Sequence, residues 1–144
     1  ETGADPARIE LEITESALMD ATPELVASFD QLVALGLTLA LDDFGTGYSS
    51  LSYLKRLPLR RLKIDRSFVD GLPDNPEDMA ITSATLSLAR DLGMDVVAEG
   101  VETEAQCAYL RSRGCGAMQG YLFSRPLGVK AFGEWAWERT AALA

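Results

Sequence analysis

Histidine is absent from this 144-residue chain. Its absence excludes Ser-His-Asp nucleophile systems, imidazole zinc sites and histidine general bases within the chain. Cysteine is nearly absent too. Cys107 and Cys115 stand without Cys-x-x-Cys spacing, which excludes a disulfide framework and leaves two reduced, buried or half-buried thiols as the expectation. Positive charge is scarce: 13 Lys and Arg face 22 Asp and Glu, for a net charge of −9. That balance argues against a groove gripping a DNA or RNA polymer, and against docking on an anionic membrane. Long hydrophobic runs are missing as well. No stretch approaches the roughly 20 apolar residues of a membrane span, and no signal peptide opens the chain. The expectation is a cytoplasmic protein, or the cytoplasmic domain of a larger, membrane-attached one.

What is present is a globular profile, 47% hydrophobic and 24% charged. The first residues, Glu-Thr-Gly-Ala-Asp-Pro, lack an initiating Met and read as a cut from something longer. From there strands and helices alternate. Residues 9–13, Ile-Glu-Leu-Glu-Ile, predict a first strand. Thr22-Pro23-Glu24 predicts a helix start, with Leu25, Phe29, Leu32 and Val33 on one face and Gly36 as the stop. Residues 37–41 predict a strand buried on both faces, running into Asp42-Asp43 and then Phe44-Gly45-Thr46-Gly47-Tyr48. A short helix is expected over 49–57 and a third strand over 61–64. A long helix begins at Asn75-Pro76, with Ile81, Ala84, Leu88 and Leu92 expected inward. Residues 95–98 predict a fourth strand, Thr103 to Gln106 a capping box, 117–123 a fifth strand, and the residues around Trp135 and Trp137 a last helix.

Strands alternating with helices call for a parallel sheet with right-handed crossovers, either open or closed into a barrel. Both place chemistry at the carboxyl ends of the strands. Those ends carry Glu12, Asp42-Asp43, Lys63 with Asp65, Glu99 with Glu102, and Gln119. Taken alone, the Asp pair reads equally as a capped turn and as a metal pair. Taken together, a ring of carboxylates without His or Cys suits hard cations, Mg2+ or Mn2+. A carboxylate shared between two such ions fits hydrolysis of a phosphodiester, with Lys63 holding a water or phosphate charge. A phosphoacceptor receiver domain also combines an acidic pair with a Lys. There the pair ends the first strand and the Lys the fifth, whereas here Lys63 is on the strand directly after the pair.

Glu12-Ile13-Thr14-Glu15-Ser16, the run from Asp42 to Ser50, Leu62-Lys63-Ile64-Asp65, Ala98-Glu99-Gly100-Val101-Glu102 and the run from Gln119 to Phe123 resemble the successive motifs of the EAL domain, the cyclic di-GMP-specific phosphodiesterase family. The resemblance covers nearly the whole chain. It implies an α/β fold of the TIM-like (β/α) barrel family, here a partial barrel of about five parallel strands with helices. It also implies cleavage of cyclic di-GMP to linear pGpG with two Mg2+ or Mn2+ ions. By the resemblance, Glu12, Asp42 and Asp43 would be metal ligands, Asp42 bridging the ions. Lys63 would hold the nucleophilic water or a phosphate oxygen, and Glu99 would be the general base or water orienter. Glu102, Gln119, Tyr121 and Arg125 would belong to the substrate wall or the outer shell of the site. Glu15 would anchor the loop from Asp43 to Ser50, through which the family dimerises. Sensory or cyclase domains commonly accompany such a domain.

One departure is large. No Glu-Ala-Leu stretch precedes Glu12, and the Asn-bearing strand expected between them is missing. The expectation is therefore that residues 1–144 are the C-terminal part of one EAL domain, with an apolar inner face and two open edges. Such a fragment is expected to be inactive alone and to self-associate. The alternative is a non-catalytic cyclic di-GMP-binding or protein-interaction module derived from the same fold.

Overall fold

The computed structural model describes residues 3–19, 22–45, 54 and 56–141. Five parallel strands form one open sheet in the order β1-β2-β3-β4-β5. They are β1 (Glu10–Thr14), β2 (Thr38–Phe44), β3 (Arg61–Ile64), β4 (Asp95–Ala98) and β5 (Ala117–Met118). The helices described are α1 (Glu15–Met19), α2 (Pro23–Ala34), α3 (Pro76–Asp91), α4 (Glu104–Ser112) and α5 (Val129–Ala141). The short helix expected over 49–57 falls largely outside the described residues. Sequence order equals spatial order, as expected when each crossover carries the chain to the next strand along.

Local chemistry explains the helix boundaries. Thr22 accepts from Leu25 N–H at α2, and Asn75 accepts from Glu77 and Asp78 N–H at α3, each cap followed by Pro. The capping box at α4 is present: Thr103 accepts from Gln106 N–H, and the Gln106 side chain accepts from Thr103 N–H.

The two faces of the sheet differ sharply. Leu39, Leu41, Leu62, Ile64, Val96 and Ala98 form one face and join Phe29, Leu86, Ala89, Cys107 and Leu110 of the helices in a single core. Cys107 and Cys115 are free and buried, as expected. In-register pairing puts Glu12, Ala40 and Arg61 side by side on the other face, and likewise Lys63, Val97 and Ala117. That second face carries the charges of Glu12, Arg61 and Lys63 and is not the apolar face expected, yet β2 is buried on both faces as expected, Leu39 and Leu41 on one and Ala40 on the other. Neither edge offers a long template for pairing: β5 has two residues, and β1 alternates acidic Glu10 and Glu12 with Leu11 and Ile13.

Three further expectations need correction. In α3, Ile81, Ala84 and Leu92 are exposed and Leu88 half-buried, while Thr82, Thr85, Leu86 and Ala89 are buried. The inward stripe is one residue further on because the two threonines pack inward, and Thr82 donates to Phe68 C=O at 3.2 Å. In α2, Leu25 is exposed and Phe29 alone is fully buried. The fifth strand stops at Met118, because the chain then wraps the Val101 peptide instead of running on. Val101 N–H donates to Gln119 C=O, and Leu122 N–H donates to Val101 C=O. A Cβ on Gly120 would collide with the Val101 backbone, so only glycine permits this approach.

Candidate active site

A break in the β2–β3 ladder creates the centre of the site. Ala40 pairs with Arg61 and Leu41 with Leu62, yet the next pair is Phe44 with Ile64. Asp42 and Asp43 together oppose one residue, Lys63, which is a β-bulge. Asp43 takes φ +55°, the left-handed region that Asp tolerates better than most side chains. Without the bulge, neighbouring residues would point to opposite faces of the strand. With it, two adjacent acids occupy the strand end beside one lysine.

Lys63 gathers the surrounding carboxylates. Its Nζ lies 2.7 Å from Glu12 Oε1, 2.8 Å from Glu99 Oε1 and 3.0 Å from Asp42 Oδ1. These partners come from β1, the end of β4 and the bulge of β2, so one ammonium ties three strands together. The Lys63 side chain is only 7% exposed. Burial alone would push its pKa down, but the hydrogen bonds it donates to Glu12, Glu99 and Asp42 outweigh that and hold it above its ordinary value. Lys63 is therefore a fixed positive charge at any physiological pH.

Asp43 shows the opposite strain. Burial and then the negative charges of Asp42 and Asp65 push its carboxyl above the usual range, against the smaller pull of Lys63. A carboxylate crowded by like charges is one that a cation would relieve. Among the described residues no cluster of three carboxylates is already spread as a cage around an empty centre, because Lys63 draws Glu12, Asp42 and Glu99 inward. The donors nonetheless fit a hard divalent ion in chemistry and charge: all are oxygens, and the charges of Asp42, Asp65 and Glu12 each push the Asp43 carboxyl upward.

Glu99 links this cluster to a cavity, since Gln119 Nε2 donates to Glu99 Oε1. The cavity, about 410 Å3, is lined by Gln119, Glu102, Tyr121 and Arg125, the four side chains expected at the substrate wall, together with Arg66, Phe132 and Trp135. Arg125 stacks over the Tyr121 ring at 4.6 Å, a cation–π contact. Glu15 is buried and accepts from the N–H of Gly45, the residue after β2, at 3.1 Å. Residues 46–50, the rest of that loop, lie outside the described residues.

Two side chains of the site escape a reading of motifs. Arg66 holds Glu102 at 3.0 Å and Asp70 at 3.2 Å, and its stem lies where a Cβ on Gly100 would stand. A cation directly after Asp65 in so acidic a chain was the available signal. Gln106, read only as a helix cap, also accepts from Glu102 N–H at 2.8 Å and donates to Val69 C=O at 3.1 Å. It ties the Glu102 loop to the segment leaving β3.

Comparison with known proteins fits this geometry. Residues 1–126 match the EAL domain. The cyclic di-GMP phosphodiesterase NbdA of Pseudomonas aeruginosa is 52% identical over 126 residues, 88% of this chain and 16% of its own length. The solved PaMucR phosphodiesterase in complex with c-di-GMP superposes with a TM-score of 0.84 at 47% identity, covering 89% of this chain and 52% of that one. Klebsiella pneumoniae BlrP1, solved with manganese and cyclic di-GMP, superposes at 0.79 with 37% identity, covering 86% of this chain and 32% of that one. The chain thus spans about a sixth of the curated relative and half of the MucR structure. Five parallel strands, a carboxylate ring at their carboxyl ends and a match over residues 1–126 establish that this chain belongs to the EAL domain family.

Proposed function

We propose that the domain containing this chain hydrolyses one phosphodiester of cyclic di-GMP to linear pGpG with two divalent cations, Mg2+ or Mn2+. The observation that carries the reading is the convergence of Glu12, Asp42 and Glu99 on Lys63, with Asp43 crowded beside them and a cavity one hydrogen bond away. Glu12, Asp42 and Asp43 would hold the ions, with Asp42 serving both. When bound, the ions supply a water of lowered pKa and a charge clamp on the phosphate. Lys63, fixed as a cation, keeps the carboxylates from repelling one another and presents an N–H to a phosphate oxygen or the attacking water. Glu99, held by Lys63 and Gln119, orients that water and takes its proton. Glu102, Gln119, Tyr121 and Arg125 seat the nucleotide in the cavity. Its aromatic rings and guanidinium groups suit a planar base and its phosphate.

Glu15 anchors the 43–50 loop through Gly45, and that loop is the homodimer contact of the complete domain. Sensory or cyclase domains accompany it in the longer protein, and the domain works in the cytoplasm; no described helix is long and apolar enough to cross a membrane. Residues 1–144 alone are inactive, because an open five-stranded sheet leaves the ring unclosed. The alternative is a binding module that never hydrolyses.

The test is a titration with Mn2+ and labelled cyclic di-GMP, run on residues 1–144 and on a longer polypeptide that supplies the remaining strands. Turnover in the longer protein, abolished by Lys63→Ala, supports the hydrolase. Binding without product in both assigns the domain to the alternative. Turnover by residues 1–144 alone at the longer protein's rate contradicts the proposed inactivity.

A further inference from the structure

Ala40 is fully buried, yet it stands on the sheet face that the helices do not cover. Its Cα partners are Glu12 on one side and Arg61 on the other. The side chains beside it pair across β2 and not with it. Arg61 Nη1 reaches over β2 to Glu10 Oε2 at 2.7 Å, and Lys63 Nζ reaches over it to Glu12 Oε1 at 2.7 Å. β1 and β3 are two strand spacings apart, about 10 Å. Two side chains cross that span only by leaning toward each other over the strand between. The two crossings straddle Ala40, one toward Thr38 and one toward Asp42, and its methyl group has no exposure to water.

We infer that Ala40 is a positioning residue: its small side chain leaves the trough over β2 through which Lys63 reaches Glu12, and so sets the distance between the ammonium and the proposed metal ligands. A larger aliphatic side chain would stand up between the two crossings and push Lys63 and Glu12 apart. Lys63 would keep Asp42 and Glu99, which do not lie across β2 from it. The effect is therefore a loss at one ligand, not collapse of the cluster. Strand propensity does not explain alanine here, since it is a poor strand former and branched residues are favoured in strands.

The inference rests on the proposed metal chemistry only in what the distance is for, and the experiment separates the two. Wild type, Ala40→Ser, Ala40→Val and Ala40→Leu are treated with a lysine-acylating reagent under native conditions. Labelling of Lys63 is read by mass spectrometry against Lys130, while Mn2+ affinity is measured on the same proteins by calorimetry. Lys63 is shielded by its partners in the wild type, so its labelling relative to Lys130 is low. The expected result is near-wild-type labelling in the Ser variant, with a rise of several-fold in the Val variant and more in the Leu variant. Mn2+ affinity falls in the same order. Unchanged Lys63 labelling in folded Ala40→Leu overturns the inference. If the Leu variant does not fold, Ala40→Val carries the test, and unfolding of both assigns Ala40 to packing and overturns it equally. Failure of the wild type to bind Mn2+, with the labelling order intact, counts against the proposed function and leaves the positioning role standing.

Discussion

Asp43 is held in a backbone conformation that few side chains accept, beside charges that resist its ionisation. Those two constraints can be separated by substitution. Asn tolerates the left-handed region, so Asp43→Asn is expected to fold with near-wild-type stability and lose Mn2+ affinity. Asp43→Val meets the steric penalty of that region as well, about 1–2 kcal/mol by the cost of a left-handed residue. Urea unfolding of the two variants beside calorimetric Mn2+ titration reads both effects.

Lys63 gives the pH-dependent prediction. Its folded pKa lies above the unfolded value, so its contribution is fully present below that unfolded pKa and is lost only as pH rises through the folded one. Between pH 5 and 8 the wild type gains and loses nothing from it. In Lys63→Met the three carboxylates face one another without their cation, and breaking such a buried pair costs about 3 kcal/mol, less where Glu12 recovers solvent. Lys63 is also the charge that pulls the raised Asp43 carboxyl down, so without it that carboxyl rises further, and the variant's deficit should shrink as pH is lowered from 8 toward 5. A deficit constant over that range, in parallel urea series, would show that Lys63 does not balance these acids. Cys115 adds a simpler check. Its buried thiol is pushed up by desolvation, so native protein should resist alkylation at pH 8 and react once unfolded.

At the level of elements, the helix starts were legible because their signals are local. Thr22, Asn75 and Thr103 each act within three residues of themselves, and each caps the helix it announces. Thr103→Ala should cost about 1 kcal/mol, as caps generally do. Gln106→Ala should cost more and also raise amide exchange in the Glu102 segment, because Gln106 holds both the cap and the Val69 carbonyl. The positions of Glu12, Asp42, Lys63, Glu99 and Gln119 at the strand ends were equally readable from where the apolar runs stop. What could not be read depends on distant partners. The inward stripe of α3 follows Thr82 and its bond to Phe68, and the end of β5 follows the Val101 peptide nineteen residues earlier than Gly120. The bulge is a property of two strands paired, so a string containing Asp42-Asp43 does not announce it.

For the whole molecule, a charged inner face and a net charge of −9 make cations the natural stabilisers. A divalent ion that binds only the folded state raises stability by mass action, by about 2.7 kcal/mol at a hundredfold excess over its dissociation constant. Thermal unfolding should therefore shift upward with Mg2+ or Mn2+ and return on chelation, while an equal ionic strength of Na+ does less. An identical shift with Na+ would reduce the effect to general screening of the acidic surface.

The bulge at Asp42 and Asp43 can be viewed as a one-letter insertion. Deleting either aspartate would let β2 and β3 run in step from Ala40 to the end, with Phe44 still opposite Ile64. The shortened protein would have a smoother sheet, no aspartate in the left-handed region and one less half-buried negative charge. It is expected to be more robust to heat and poorer at its task. A relative with a single aspartate at this position would then mark a lineage that had exchanged chemistry for durability, recognisable from its length alone.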